Sequence, residues 1–245
     1  MNINQYNVLL ALLQAPFSSQ RELAKRCGIS LGGVNTCLQA LRAQGLLDEG
    51  LSPTEQARQL ARERKPRCAV ILAAGFGMRM VPINMETPKG LLEVRGEVLI
   101  ERLIRQLQQA GIQEIYVVVG FMKERFEYLI DAFGVELVVN PEYARKNNLH
   151  SLALVKHRLS NCYIVPCDLW CRDNPFHPQE LYSWYLVRED PDPDSTVRVN
   201  RKGELKQTGS GGNKMLGISY LTGEQAEQTA RRIDQMSRDA RYDRR

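Results

Sequence analysis

A loop of small residues, with an arginine and a lysine behind it, is the part of this sequence best suited to phosphate chemistry. An apolar run from Cys68 predicts a strand that leads straight into this loop. Residues without large side chains allow backbone N–H groups to approach phosphate oxygens closely. An arginine can clamp a triphosphate, and a lysine can place positive charge at the phosphorus under attack. The predicted nucleotide-binding residues are Leu72, Ala73, Ala74, Gly75, Gly77, Arg79 and Lys89. Arg79 and Lys89 are also the predicted catalytic residues.

The same residues resemble a known signature. The run from Leu72 to Met80, followed by Pro88-Lys89, resembles the LAAGxGxRM…PK motif of nucleotidyltransferases that couple a nucleotide to a sugar phosphate or choline phosphate. A P-loop would end in Gly-Lys-Ser/Thr, and a Rossmann fingerprint would carry a third glycine. Neither feature is present here, so the motif is distinct from both.

A carboxylate follows a second apolar stretch. Asp168 comes shortly after Tyr163-Ile164-Val165, which also predicts a strand. In a doubly wound sheet, ligands bind beyond the carboxyl ends of the strands, so Asp168 and the glycine loop should share one crevice. A lone carboxylate suits Mg²⁺ held mainly by phosphates and water. A helix cap or turn role for Asp168 is the alternative, and the nearby glycine loop favours the metal site.

Composition excludes several classes of protein. The 245 residues are 43% hydrophobic and 25% charged, as in ordinary globular proteins. No apolar run is long enough to cross a membrane, and the N-terminus lacks a basic signal-peptide region. We therefore expect a cytoplasmic protein without membrane contact. The net charge of +5 fits an anionic substrate. Cys162, Cys167 and Cys171 match no usual zinc spacing, so reduced structural thiols are expected. The three histidines show no catalytic spacing.

Residues 1–64 predict a small helical domain. Ser19 and Ser30 are predicted N-caps of the second and third helices, and Ser52 is the predicted cap of a fourth. The two helices joined by Cys27-Gly28-Ile29-Ser30 resemble the helix-turn-helix of bacterial winged-helix regulators such as the MarR family. This resemblance implies a DNA partner.

The charge of this domain gives DNA binding weak support. The presumed recognition helix carries a single basic residue, Arg42, and the wing Asp48-Glu49-Gly50 is acidic and short. Up to Lys65 there are eight basic and five acidic residues, a net charge of about +3, whereas affinity for DNA rests largely on phosphate neutralisation. Use of the domain for homodimer formation, or for contacts with the rest of the chain, is the alternative hypothesis.

From residue 68 onward strands and helices alternate, with residues 65–67 as a linker. This pattern predicts an α/β fold: a Rossmann-like nucleotidyltransferase domain over residues 68–245 with a mainly parallel sheet, preceded by the small winged-helix domain. The strands are predicted at Cys68–Leu72, Ile115–Val119, Glu136–Val139 and Tyr163–Val165, with shorter β pieces at Tyr182–Val187, Thr196–Val199 and Leu216–Tyr220. The helices are predicted at Leu99–Ala110, Lys123–Phe133 and Ser151–Arg158.

Further motifs narrow the resemblance. Val118 to Phe126, Asn140-Pro141-Glu142-Tyr143, Asn147 to Leu152, and Cys162 to Asp168 resemble the bacterial choline-phosphate cytidylyltransferases of the LicC type. The resemblance implies conversion of CTP and phosphocholine into CDP-choline and pyrophosphate, with Asp168 binding Mg²⁺. It also implies nucleotide-pocket roles for Asn148 and Ser151. Capping of a helix that begins near Ser151 is the other interpretation of these two residues.

Some features depart from that family. Pro166 stands where some relatives carry a second acid. Tyr182, Trp184 and Tyr185 form the densest aromatic cluster, and a choline is best held by an aromatic cage. The strand spacing of Tyr182 and Trp184 favours core positions for these two residues. The family continues beyond the position of residue 245 with another metal-binding acid and substrate aromatics. We therefore expect this chain to be truncated at its C-terminus. Two substrate alternatives stay open, hexose 1-phosphate and 2-aminoethylphosphonate. A DNA-binding regulator that senses ligand through an inactive transferase-like domain is an alternative of another class.

Overall fold

The computed structural model describes residues 1–77 and 86–243, and the predicted phosphate clamp Arg79 lies outside the described residues. The chain forms two compact units. The first comprises Met1–Lys65, Gln179–Tyr182 and Val187–Leu216, and the second comprises Pro66–Pro178, Ser183–Leu186 and Gly217–Arg245. The first unit thus draws on sequence well beyond residue 64. The domain boundaries drawn from the sequence stay a prediction.

The first unit is built on four helices: α1 (Ile3–Gln14), α2 (Gln20–Cys27), α3 (Leu31–Ala43) and α4 (Glu55–Glu63). Ser19 and Ser30 cap α2 and α3 as predicted, each by accepting a backbone N–H in the first turn. The prediction of Ser52 as the cap of α4 is wrong, since Thr54 occupies that position. The Thr54 hydroxyl donates to the Gly45 carbonyl (2.7 Å), and Pro53 forms a bridge with Leu47. The preceding hairpin therefore sets where α4 begins.

A distant segment completes the core of this first unit. Leu181 is fully buried among the apolar side chains of the helices, which include Leu9 and Leu41. The neighbouring Tyr182 stacks on Tyr6 at 5.5 Å between ring centroids. Its hydroxyl donates to Asn7 Oδ1 (3.1 Å). The helical core is therefore closed by residues about 120 positions beyond α4 in the sequence.

Leu181→Ala is expected to lower the free energy of unfolding by about 2–5 kcal/mol, because it leaves a cavity in a closed core. Urea unfolding followed by circular dichroism measures this effect. Leu205→Ala is the control, since Leu205 belongs to the same unit and is 43% exposed. Equal midpoints for the two variants would contradict a structural role for the segment around Leu181.

In the described part of the chain, the sheet that carries the second unit is mostly parallel and has six strands. They are β1 (Cys68–Ala73), β4 (Glu114–Val119), β5 (Glu136–Val139), β6 (Cys162–Pro166), β7 (Trp184–Asp192) and β10 (Gly212–Leu221). Their order is β5-β4-β1-β6-β10-β7. β1 lies between two parallel neighbours, β4 and β6, and β10 runs antiparallel to β6. Two hairpins pair β2 (Glu93–Val94) with β3 (Glu97–Val98) and β8 (Val197–Val199) with β9 (Leu205–Gln207).

Helices cover both faces of this sheet. They are α5 (Leu99–Gln109), α6 (Tyr128–Phe133), α7 (Asn148–Leu154) and α8 (Gly223–Ser237). Alternate residues of β1 point to opposite faces, so Ile71 packs in the cluster with α5 while Val70 packs in the cluster with Ile233 of α8. Burial on both faces explains the continuous apolar sequence of the strand. The predicted α/β fold with a mostly parallel sheet is confirmed.

The bounds of three predicted elements differ clearly from the structure. β7 and β10 are long strands, not short β pieces, because they extend the sheet beyond β6. The helix expected to begin near Ser151 begins at Asn148 instead, with Asn147 as its cap accepting the Leu149 N–H. Helix capping by Ser151 is therefore wrong. None of the helices in the described ranges combines the length and apolar character that crossing a bilayer requires.

Candidate active site

An ion pair between Lys89 and Asp168 is the centre of the candidate site. The Lys89 Nζ lies 3.2 Å from Asp168 Oδ2, and the two side chains are 23% and 37% exposed. Asp168 follows β6, and the backbone N–H of Cys167 donates to the Leu72 carbonyl of β1 (3.2 Å). The carboxylate is therefore held at the carboxyl end of the sheet, where β1 runs into the glycine loop. The structure thus brings together two of the predicted site residues, Lys89 and Asp168, and their roles stay predictions.

The turn that carries Lys89 is fitted against β6 by a glycine that our sequence reasoning missed. Lys89 to Leu91 form a short 3₁₀ turn, and Gly90 is buried in it. A Cβ at position 90 would lie 3.0 Å from Cys167 Cβ and 3.2 Å from its Sγ. The absence of a side chain therefore lets the lysine turn reach the residue next to Asp168. The adjacency of Gly90 to Lys89 in the sequence is the signal that could have revealed it.

Gly90→Ala is expected to lower turnover about tenfold while the fold persists, because a misplaced charge loses much of its effect on the transition state. The added methyl group must push the Lys89 turn away from Cys167 by a few tenths of an ångström. Steady-state kinetics beside thermal unfolding measure the two effects. Gly96→Ala tests the opposite case, a strained backbone without a clash, since Gly96 has a φ of +80° and no described atom lies within 4 Å of its Cβ position. Loss of stability without loss of turnover in Gly90→Ala would contradict the positioning argument.

The glycine loop offers open backbone for a ligand. Ala73 and Ala74 are buried at the end of β1, whereas Gly75 is exposed. Among the described residues, a Cβ at Gly75 would meet no atom within 4 Å, so neither packing against them nor a positive φ explains this glycine. Gly77, in contrast, adopts a left-handed φ of +70°, which favours glycine. Free space over Gly75 leaves its backbone accessible to phosphate oxygens.

The loop is anchored to the turn after β4. The Phe121 N–H donates to the Ala74 carbonyl (3.1 Å), and the Phe76 ring packs edge-on against Phe121 at 4.5 Å. Gly120 allows these segments to approach closely because it has no side chain. A Cβ there would lie 2.5 Å from Tyr143 Cβ and 2.8 Å from the Ala74 oxygen. Sequence reasoning did not assign this role to Gly120, although its place directly after an apolar strand is a signal.

The remaining predicted nucleotide residues have different surroundings. Asn148 is exposed at the first turn of α7. Ser151 is only 1% exposed, and its hydroxyl accepts from Asn140 Nδ2 (3.1 Å). Leu72 packs with the apolar cluster beneath the loop, and its carbonyl is bonded to Cys167. Ser151 therefore acts in the scaffold of the described structure, while Asn148 stays available to a ligand. Their nucleotide roles stay predictions.

Two aromatic residues of the predicted cluster, Tyr182 and Trp184, pack against other side chains. Trp184 packs against Tyr163 at 5.9 Å, and Tyr182 packs on Tyr6. The interpretation of these two aromatic residues as core is thus confirmed.

Pro166 is covered by β10, since a Cβ at Gly217 would lie 2.8 Å from Pro166 Cγ. Burial raises the pKa of the Cys167 thiol to about 12. That thiol is therefore protonated, and only a thiolate would ligate a metal or attack a substrate.

The residues present fit Mg²⁺. Mg²⁺ prefers carboxylate oxygens and is commonly held by one or two carboxylates, with phosphates and water completing its shell. Asp168 supplies one such carboxylate, partly exposed at the mouth of the loop. Over the described ranges no group of three histidine, cysteine or acidic side chains could hold a metal by itself. A site in which the nucleotide phosphates provide the other ligands agrees with this donor set.

The fold and the site agree with known proteins. Residues 69–238 match the family described as MobA-like NTP transferase domain, and residues 1–48 match the family described as winged helix-turn-helix DNA-binding. The chain is 44% identical over 124 residues to the choline-phosphate cytidylyltransferase of Streptococcus pneumoniae, covering 50% of this chain and 54% of that protein. It is 37% identical over 172 residues to the 2-aminoethylphosphonate cytidylyltransferase of Lancefieldella rimae, covering 66% of this chain and 70% of that protein.

The fold is also similar to that of a cytidylyltransferase whose structure has been solved. The CTP:phosphocholine cytidylyltransferase from Streptococcus pneumoniae matches with a TM-score of 0.64 and 35% identity, covering 70% of this chain and 78% of that chain. In the sequence comparison, this chain spans about half the length of the S. pneumoniae protein. Membership of the LicC type in particular stays a prediction. The chain belongs to the MobA-like NTP transferase family and is a nucleotidyltransferase enzyme, with a winged helix-turn-helix region ahead of its transferase fold.

Proposed function

We propose that this protein is a Mg²⁺-dependent cytidylyltransferase that converts CTP and phosphocholine into CDP-choline and pyrophosphate. The observation that carries the proposal is the Lys89–Asp168 pair at the carboxyl ends of β6 and β1, beside the open backbone of Gly75. Attack on a nucleotide α-phosphate needs a cation, a carboxylate for the metal and backbone that phosphate oxygens can approach, and this site offers all three.

The chain's own residues supply binding and charge. Backbone N–H groups of the glycine loop hold the phosphates of CTP, and Lys89 stabilises the charge that develops on the α-phosphate. An oxygen of the acceptor phosphate forms a bond to the α-phosphorus, and the bond from that phosphorus to the bridging oxygen breaks. Pyrophosphate leaves with the electron pair. The acceptor is ionised near neutral pH, so no side chain has to remove a proton.

Asp168 is the residue that would hold Mg²⁺, and the bound ion would neutralise phosphate charge and help to orient the acceptor. In our proposal Lys89 and Asp168 act together on the same phosphate, Lys89 through its fixed charge and Asp168 through the ion that it recruits with the nucleotide. Arg79, outside the described residues, is the proposed clamp for the β- and γ-phosphates.

Cytosine as the base is supported by the two relatives reported above, both of which are cytidylyltransferases. They differ in the acceptor that their names state, phosphocholine in one and 2-aminoethylphosphonate in the other. The second acceptor is favoured by the longer alignment, which covers 70% of the L. rimae protein against 54% of the S. pneumoniae protein. 2-Aminoethylphosphonate is therefore the second candidate substrate.

Pyrophosphate release tests the proposal directly. CTP, UTP, ATP and dTTP are each combined with phosphocholine, phosphoethanolamine, 2-aminoethylphosphonate and glucose 1-phosphate in the presence of Mg²⁺. We expect release with CTP and phosphocholine, and Asp168→Asn assayed in parallel excludes a contaminating enzyme. Release with CTP and 2-aminoethylphosphonate alone would make that phosphonate the acceptor instead of phosphocholine and would leave the proposed reaction at the α-phosphate unchanged. Preference for UTP with glucose 1-phosphate, or silence across all combinations, would overturn the proposal.

DNA binding by residues 1–64 is a second candidate function, favoured by the match of residues 1–48 to a winged helix-turn-helix family. The electrostatics of the domain give it weak support. The guanidinium of Arg42, on α3, lies 3.6 Å from Glu49 of the wing, and Arg26 and Arg62 are each paired with a glutamate. Fluorescence anisotropy with random duplex DNA at 50 and 150 mM salt decides the matter. Tight binding with a steep salt dependence would establish it as a separate activity.

A further inference from the structure

Two polar side chains of α5 hold the chain segment that follows Asp168. Arg102 donates from Nε to the Cys171 carbonyl (2.9 Å) and from Nη2 to the Arg172 carbonyl (2.7 Å). One helical turn later, Gln106 donates from Nε2 to the Cys171 carbonyl (3.1 Å). Residues four apart lie on the same face of a helix, so both reach the same segment. The loop after Asp168 is thus tied to a buried helix through its backbone.

The same arginine also supports an aromatic side chain of this loop. Trp170, two residues beyond Asp168, has the Arg102 guanidinium 4.8 Å from its ring centroid. Arg95 lies over the Trp170 ring at 4.6 Å. Arg102 is itself fixed by an ion pair with Glu97 (2.5 Å), and its side chain is only 18% exposed. Stacking and hydrogen bonds from one planar guanidinium therefore restrain the loop at three consecutive residues, Trp170, Cys171 and Arg172.

We infer that Arg102 is a positioning residue for the Asp168 carboxylate, and this inference rests on the proposed role of Asp168 in holding Mg²⁺. The residue before Asp168, Cys167, is held by its backbone hydrogen bond to β1. The residues after Asp168 are held by Arg102, which binds the Cys171 carbonyl. Arg102 touches neither the nucleotide loop nor Lys89 in any contact of the described residues, so it acts through the loop. Its loss frees the carboxylate to sample positions unsuited to the ion.

Metal binding separates this role from a general contribution to folding. Mn²⁺ serves as the probe, and its binding to the full-length protein with CTP present and acceptor absent is followed by electron paramagnetic resonance. Partners behind a metal ligand commonly change metal affinity 10–100-fold, so Arg102→Ala is expected to weaken Mn²⁺ binding about tenfold. Arg102→Lys keeps the positive charge but not the planar guanidinium, so most of the loss of Mn²⁺ affinity should remain in this variant.

Arg105→Ala is the matched control. Arg105 lies on the same helix, pairs with Glu101 (2.6 Å) and packs over Phe133, away from the loop. It should bind Mn²⁺ within about twofold of the unmodified protein, since exposed ion pairs contribute little. Should Arg102→Ala fail to fold, Gln106→Met removes one donor to the loop and keeps an apolar helix face. An intermediate loss of about threefold is expected there, because Arg102 remains.

Unchanged Mn²⁺ binding in folded Arg102→Ala or Gln106→Met would overturn the inference. An equal loss of Mn²⁺ affinity in Arg105→Ala would also overturn it, since the loss would then reflect a general disturbance of α5. If the unmodified protein binds Mn²⁺ but releases no pyrophosphate, the proposed function fails, while the comparison of variants still decides the role of Arg102. If the unmodified protein binds no Mn²⁺, the metal role of Asp168 and the positioning role of Arg102 fail together.

Discussion

Lys89→Ala is expected to reduce turnover by about 10²–10³-fold, the usual cost of removing one preorganised group that stabilises developing charge. The loss arises because Lys89 is the side chain that forms an ion pair with Asp168 in the described part of the chain, and alanine leaves no charge in its place. Nucleotide binding should weaken less than turnover, since the backbone groups of the glycine loop remain. Initial rates at saturating CTP, together with CTP binding by calorimetry, separate the two effects.

Stability should hardly change in Lys89→Ala. The side chain is 23% exposed, and partly exposed ion pairs contribute at most about 1 kcal/mol. Lys206→Ala is the control, because Lys206 is an exposed lysine whose ion-pair partner, Glu204, lies 3.4 Å away in a hairpin of the first unit. It should retain full turnover. Near-normal turnover in Lys89→Ala would remove Lys89 from the mechanism.

Asp168→Asn is expected to lower Mg²⁺-dependent turnover to a similar extent, about 10²–10³-fold, since it removes the charge of the proposed metal ligand but keeps its shape. An amide oxygen can still accept from Lys89, so the turn around Gly90 should stay in place. The rate measured against Mg²⁺ concentration is the decisive measurement. We expect the half-saturating concentration to rise steeply, whereas CTP binding without metal should persist.

The double variant gives a further check on this pair. Two groups that act as one unit have strongly non-additive effects on catalysis. Lys89→Ala combined with Asp168→Asn should therefore cost little more than either change alone. Full multiplication of the two losses would show that the residues act independently. An Asp168→Asn protein with unaltered Mg²⁺ dependence would transfer the metal role to other residues.

Several features of the fold follow from local sequence. The apolar run of β1, the small residues behind it and the N-caps Ser19 and Ser30 need only backbone geometry and burial to explain them. Alternation of strands and helices then predicts the parallel sheet, and the sheet predicts where Asp168 lies. For this reason the fold class and the family were accessible without a structure.

Helix beginnings were less predictable. Ser52 has the sequence of a good cap, yet Thr54 is the cap because the hairpin around Leu47 and Pro53 places it there. Ser151 similarly looked suited to a helix start, and the structure buries it against Asn140. In both cases a contact with another part of the chain overrides the local preference.

The sequence by itself determined which groups could bind phosphate, because glycines, a lysine and an aspartate carry that chemistry wherever they lie. Tertiary structure alone decided that Lys89 meets Asp168 across 79 residues, that Gly90 admits this approach and that Arg102 holds the loop beyond the carboxylate. It also decided that Leu181 closes a core made by residues near the N-terminus. These contacts depend on chain segments that are distant in sequence, and no local pattern encodes how such segments pack.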